Sequence, residues 1–300
     1  MAPGDELLAA ILANPQVDEH RRVYADWLSE RGDPRGEFIL LQLMEHDRRA
    51  TKLSRERARQ LIRMHAKAWL GPLDHVLDRK SVVFERGFPI RAVCKPGLRK
   101  PERYFGEPSW ATFEHLSDPP LALLRQPNVV ALRSISLHRD QVQQLLRDPQ
   151  PLPNVAALEV RGSKGQHAVI IGEERQLYER STCLPELASL RLVHFQVGIA
   201  QSWYWATQLG KLRRLGFLAA RIQPVGLWAQ WLRQMSIALE SLTLGDAELE
   251  ITLAAGEANE WDRATLRLLA ISPEHDRVHE HLEHLRARGV TQIAIEDLSR

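Results

Sequence analysis

The densest run of titratable side chains in this 300-residue chain spans Glu274 to His284. His275 and His279 stand four apart, and His281 and His284 three apart, so each pair can share a helical side and face a cation. A zincin signature needs His-Glu-x-x-His, but His279-Glu280 is followed by Glu283 where the second histidine belongs. The reversed signature fails as well, because Glu280 stands where its first histidine should be. The tract therefore reads as a solvated acidic helix, and neither a metal nor any other cofactor is expected. Asp26, Glu30, Asp33 and Glu37, spaced four, three and four, have a periodicity that paired acid–base chemistry would tolerate. Helix capping explains them more simply. Asp33 precedes Pro34 as an N-cap, Glu37 sits in the following first turn, and Asp26 can bond a neighbouring backbone group or Arg35. Cys94 and Cys183 have no base near them in sequence and read as packed thiols. No GxxxxGK[ST], GxGxxG, GxSxG or kinase-type loop occurs. No catalytic residue is expected, and the chain reads as a non-enzyme.

Groups that bind are easier to find than groups that react. The whole chain carries 40 Lys/Arg against 38 Asp/Glu, a net charge of +2, yet the distribution is uneven. Between Arg48 and Arg103 there are 16 basic against 5 acidic residues, whereas Ser236–Arg300 has 6 against 13. Arg48, Arg49, Lys52, Arg55, Arg59 and Arg63 would form a basic helical face able to meet phosphates. Stacking aromatics nearby are sparse, confined to Phe84, Phe88, Tyr104 and Phe105, and no nucleic-acid fold signature is present. Nucleic acid is therefore the alternative partner, behind protein.

The elements that position these groups differ along the chain. Leu7, Leu8, Ile11 and Leu12 form one helical stripe, opened by Asp5 as N-cap and closed at Asn14-Pro15. Val23, Tyr24, Trp27 and Leu28 form a second, with Asp18 before it and Gly32 at its C′ position. A third, carrying Phe38, Leu41 and Met44, follows Asp33-Pro34; a fourth starts near Ser54 and carries Ala58, Leu61, Ile62, His65 and Trp69 up to Gly71-Pro72. The blocks Glu6–Leu12, Arg22–Leu28 and Glu30–Ile39, together with Trp69–Leu73 and Phe84–Phe88, resemble the bacterial repeat-companion domain. That resemblance implies an N-terminal helical module in front of a leucine-rich-repeat-like array. It lends architecture and no activity.

Downstream, Ser81–Phe84 and Phe88–Val93 flank Arg86-Gly87 as a hairpin-like pair, and residues 95–120 are broken by prolines and glycines into a connector. Beyond residue 125 one apolar motif recurs seven times. It is complete at Val129-Leu132-Ile135-Leu137, Leu152-Val155-Leu158-Val160, Leu184-Leu187-Leu190-Leu192 and Leu209-Leu212-Leu215-Phe217. Shorter matches follow at Leu239-Leu242-Leu244, Leu266-Leu269-Ile271 and Val290-Ile293-Ile295. Five of the six intervals fall within the 20–29 residues of leucine-rich repeats. Asn or Cys is missing three residues after each motif, so the resemblance is to a degenerate array whose curvature is open. An ordinary α/β domain with crossover helices is the rival reading.

The expected organisation is thus α/β: a helical repeat-companion domain over 1–72, a hairpin-like cap and connector over 73–126, and a leucine-rich-repeat-like solenoid of parallel strands with helical or irregular returns over 127–300. Strand alternation places Glu159, Arg191, Gly216, Thr243, Ala270 and Ala294 on the concave face, with Arg161, Arg214 and His138 beside them. Arg161, Arg191 and Arg214 would then form a cationic patch for carboxylates or phosphates. Trp203, Trp205, Trp228 and Trp231 fall in two consecutive units, and Trp205, Trp228 and Trp231 are the candidate anchors for a partner. Two cysteines, an acidic N-terminus and no long apolar run lead to the expectation of a cytoplasmic interaction or adaptor protein with no membrane partner.

Overall fold

A computed structural model describes residues 3–148, 150–162, 168–169, 182–196, 212–218, 239–245, 249–255, 261–268, 275–287 and 289–297. The chain is mixed α/β with an open, mostly parallel sheet, and it divides into two compact units, Met1–Ile135 and Ser136–Arg300.

In the first unit all four apolar stripes become helices: α1 (Pro3–Ala13), α2 (Asp18–Ser29), α3 (Pro34–His46) and α4 (Lys52–Leu70). Asp33 caps α3 as read, its Oδ1 accepting the Arg35 N–H at 2.8 Å ahead of Pro34. Gly32, at φ +68°, ends α2 in the left-handed conformation that favours glycine. Other boundaries move by a few residues. Asp5 is no cap but lies in the first turn of α1, Val17 precedes α2 in place of Asp18, and α4 starts two residues early because Thr51 accepts the Ser54 N–H at 3.1 Å. The stripes meet around Ile11, Tyr24, Leu28, Ile39 and Leu43, which pack with Phe88. Val23 and Met44, read as core, are exposed.

Phe88 reaches this core from a hairpin. Strands β1 (Val83–Glu85) and β2 (Phe88–Val93) pair antiparallel through Arg86 at φ 51° and Gly87 at φ 86°, a two-residue turn of the primed kind. A Cβ on Gly87 would come within 2.2 Å of Ile39 Cγ1, so only glycine lets the turn sit on α3. Strand β3 (His115–Ser117) pairs parallel to β2 inside the Pro-rich segment, where no strand was expected. The rest of that segment is short 3-10 turns built around Trp110, fully buried with its Nε1 donating to the Tyr104 carbonyl at 2.7 Å.

The second unit takes up β4 (Ser134–His138) from its third residue and continues through α5 (Arg139–Arg147), β5 (Ala157–Arg161), β6 (Ala168–Val169), β7 (Ser189–Val193), β8 (Phe195–Gln196), β9 (Arg214–Leu218), β10 (Ser241–Gly245), β11 (Leu249–Ala255), β12 (Trp261–Leu268), α6 (His275–Arg286) and β13 (Gln292–Asp297). Its sheet runs β4-β5-β7-β9-β10-β11-β12-β13, while β6 and β8 form a separate parallel pair. From β5 to β10 the strands are parallel and the motif positions coincide. Leu158 faces Leu190, which faces Leu215, which faces Leu242; Val160, Leu192, Phe217 and Leu244 line up likewise. Every described side chain of the first four motifs is buried. The same backbone fork recurs ahead of four strands: the Arg133 and Ser134 N–H groups donate to the Glu114 carbonyl, those of Ala188 and Ser189 to Ala156, those of Arg213 and Arg214 to Ala188, and those of Glu240 and Ser241 to Arg213.

The regularity stops at β11, which is antiparallel to both β10 and β12. Leu249, Ile251 and Leu253 are buried and alternate with Glu250 and Thr252, a two-residue period that builds a strand with one apolar side. This strand was not expected, and β12 lies earlier than the Leu266-Leu269-Ile271 motif places it. Leu269 and Ile271 are outside the described residues. The final motif returns as β13, parallel to β12 with Ile295 opposite Leu266.

Candidate functional site

Because side chains alternate along a strand, the aligned register of the second unit sorts the residues into two faces. One is the apolar set above. The other carries most of the polar side chains, together with Ala157, Val193 and Leu218, and its middle row reads Glu159, Arg191, Gly216, Thr243, Thr252, Thr265, Ala294 across seven strands. Ser136 joins Glu159 by donating from Oγ to Oε1 at 2.8 Å. Glu159, Arg191, Gly216, Thr243 and Ala294 fall in this row as read from the alternation, and Ala270 lies outside the described residues. Thr252 and Thr265, contributed by β11 and β12, were missed because those strands were searched with the repeat period.

The three candidate arginines share this face on consecutive strands, but not one row. Arg161 stands opposite Val193, Arg191 opposite Glu159 and Gly216, and Arg214 opposite Ser189 and Ser241, so they step diagonally across the sheet. Arg191 Nε lies 4.0 Å from Glu159 Oε2, too long for a hydrogen bond, and both Arg191 and Arg214 are exposed. A Cβ on Gly216 would meet Arg191 Cγ at 3.2 Å, so the arginine stem lies over the bare backbone of β9. At the other end of the face Arg267 is held by two acids, Glu250 at 3.1 Å and Glu296 at 2.8 Å. Trp203, Trp205, Trp228 and Trp231 lie outside the described residues.

Part of the basic stretch of the first unit is answered by nearby acids. Arg49 pairs with Asp47 at 2.6 Å, Arg55 with Glu45 at 3.4 Å, and Arg57 makes two 2.7 Å bonds to Glu37. Arg79 binds Asp74 at 2.6 and 2.9 Å, and Lys95 Nζ donates to the Asp74 carbonyl at 2.6 Å. These hydrogen bonds hold the Glu37, Asp47 and Asp74 carboxyls below the usual carboxylate range. Of the six candidate phosphate contacts, Arg48, Lys52, Arg59 and Arg63 are exposed and make no ion pair among the described residues. They are a short helical stripe and a turn residue.

Sequence reasoning missed the buried cations altogether. Arg21, 1% exposed, and Arg35 both place their guanidinium carbons against the Phe88 ring, at 5.3 and 4.8 Å. Burial, with Arg86 close by, lowers the Arg21 pKa to about 10, and burial lowers that of Arg35. Arg86, in its left-handed turn, bonds Asp18 at 3.3 Å and Gln16 at 3.2 Å and faces Glu114 at 3.6 Å. Asp18 and Gln16 stand 68 and 70 residues away in sequence, and no local signal points to them.

The residues singled out for chemistry are dispersed. Glu37 is tied to Arg57, Asp33 caps α3, and Asp26 is exposed and bonds neither backbone nor Arg35 through its carboxylate. On α6 His279 Nε2 meets Glu283 at 3.3 Å, and among the described residues no group of three or more His, Cys, Asp or Glu is placed to hold a metal. Both cysteines are buried and free of disulfides; burial and the Asp118 charge push the Cys94 thiol up to about 12. No described helix is long and apolar enough to cross a membrane. Compared with known proteins, the chain matches no family model, no curated protein and no solved structure.

Proposed function

We propose that this chain is a non-enzymatic cytoplasmic interaction or adaptor module. In this reading a repeat-companion-like N-terminal unit precedes a degenerate leucine-rich-repeat-like array, and the polar face of the array recognises a protein partner. One observation carries the reading. Across β5, β7, β9 and β10 the sequence motif and the strand register coincide, so the motif's apolar residues take one face and Glu159, Arg191, Arg214 and Thr243 the other. The recurring backbone fork before β7, β9 and β10 adds to it, since stacked equivalent units repeat their turn bonding. The reversal at β11 would give the array a second half of different construction. Repeat arrays bind macromolecules through such an extended strand-lined surface, and Arg191 and Arg214 are exposed on this one. The test compares proteins retained from an extract of the source cells by the intact chain and by Arg191→Glu/Arg214→Glu. A partner retained by the first and lost by the second, while Arg59→Glu/Arg63→Glu on α4 still retains it, supports the reading. Identical retention by all three removes it.

A further inference from the structure

Strand β13 lies at one end of the sheet and, among the described residues, pairs with β12 alone. The outer N–H and C=O groups of such an edge are a template for another strand. Edges are ordinarily blunted by lysine, proline or a bulge, and β13 has none of these. Its charges are confined to one end, Glu296 and Asp297. Gln292, Ala294, Ile295 and Glu296 are exposed. Ile293 and Ile295 stand opposite Ala264 and Leu266, both buried, so the apolar face of the sheet continues onto β13. There it loses its cover: Leu266 is 0% exposed and Ile295 beside it 54%.

We propose that β13 pairs antiparallel with β13 of a second copy of this chain, about a two-fold axis through Ala294. The strand is self-complementary in this register and in no other. Side chains alternate between faces, so an axis through a residue keeps apolar opposite apolar, whereas an axis between residues sets apolar against polar. At Gln292 or Ile293 no more than three strand residues find a partner. At Ile295 the axis puts Glu296 opposite Ala294, and at Glu296 or Asp297 it puts a carboxylate opposite its own copy. At Ala294, Ile293 meets Ile295 of the other copy twice over, which covers the exposed side chains, and Gln292 meets Glu296. Arg267 Nε already donates to Glu296 Oε2 at 2.8 Å, so Oε1 can accept from the Gln292 amide of the second copy. Opposite residues point to the same side of a sheet, so the pair presents the Arg191 face of each copy on one side, and the pairing is independent of what that face binds. A five-residue ladder is smaller than the roughly 1,200 Å² of a standard interface, so the dimer forms as concentration rises.

Sedimentation velocity of the full chain across a wide concentration range reads the pairing. A mass that rises from one copy to two is expected. Gln292→Glu sets like charges opposite at both ends of the ladder and should weaken the dimer about tenfold, with partial recovery at high salt. Gln292→Lys sets opposite charges there and should tighten it about two- to threefold. Ile295→Lys should abolish it with the melting temperature nearly unchanged. Both native cysteines are buried, so Ala294→Cys provides an accessible thiol. Cα atoms of an opposite pair lie about 4.5–5.5 Å apart, within disulfide range, so mild oxidation should link two copies of that variant. Gln292→Cys, displaced from the axis, should not link. One copy at every concentration, a dimer indifferent to Ile295→Lys, or Gln292→Glu and Gln292→Lys acting alike would overturn the proposal. So would linkage through Gln292→Cys with none through Ala294→Cys.

Discussion

Arginine does two different jobs in the two units. In the first, Arg21, Arg35 and Arg86 are drawn inside, against the Phe88 ring or among Asp18, Gln16 and Glu114. In the second, Arg191 and Arg214 are exposed on the sheet face opposite the aligned leucines. A cation taken from water must be compensated where it sits, so the first set couples to stability. A cation left in water contributes little to the fold and is available to a partner. Total charge, or even a local run of it, therefore says less than where each charge is answered.

The strongest way to break this contrast is to remove the ring that the buried arginines share. Phe88→Ala should cost about 3–5 kcal/mol, read from denaturant unfolding, because it opens a cavity and strands two guanidiniums at once. A loss below about 1 kcal/mol would mean that the ring is not central to the first unit.

Next in size is the Asp74–Arg79 pair, whose carboxylate is almost fully buried. Asp74→Asn should destabilise by about 1–2 kcal/mol through lost charged hydrogen bonds. The pH dependence has a definite sign. The folded carboxyl titrates below its ordinary value of 3.8, so its stabilisation is complete above that pH and disappears as pH falls through the lower folded value. Thermal melts between pH 5 and 2 should show a steeper decline for the intact chain than for Asp74→Asn. Equal slopes would remove the pair from the stability of this unit.

How far the sequence could carry this picture depended on the range of the interaction. The four N-terminal helices were legible because their apolar spacing is local, and Asp33 and Gly32 were legible because caps act within a turn. Starts moved where the backbone chose a neighbour, Thr51 over Ser54 and Val17 over Asp18. The row Glu159-Arg191-Gly216-Thr243 was legible because a regular motif fixes the register between units. Strand β11 was hidden because its alternation has a period of two and interrupts the longer repeat. Pairing within the basic run was hidden for a physical reason: Glu37 and Arg57 are 20 residues apart and Asp18 and Arg86 are 68 apart, so sequence cannot show that those charges are matched.

Smaller effects sharpen the contrast. Cys94, with its thiol pushed up to about 12 by burial, should resist Ellman's reagent at pH 8 in the folded chain and react on unfolding. Rapid reaction without unfolding would show the first unit to be open there. On the second unit, Arg214→Ala should change stability by no more than about 0.5 kcal/mol, as befits an exposed cation with no ion pair among the described residues. A larger loss would assign that arginine to the fold and not to recognition.

Photo-crosslinking separates cohesion from recognition most directly. p-Benzoylphenylalanine placed at Thr243, mid-way along the polar row, is compared with the same group at Leu53, 76% exposed on α4, in an extract of the source cells. A discrete protein adduct from position 243, absent from position 53 and abolished by Arg191→Glu/Arg214→Glu, is the result expected of a recognition face. Adducts from position 53 alone, with none from 243, would contradict it and move binding to the basic helix.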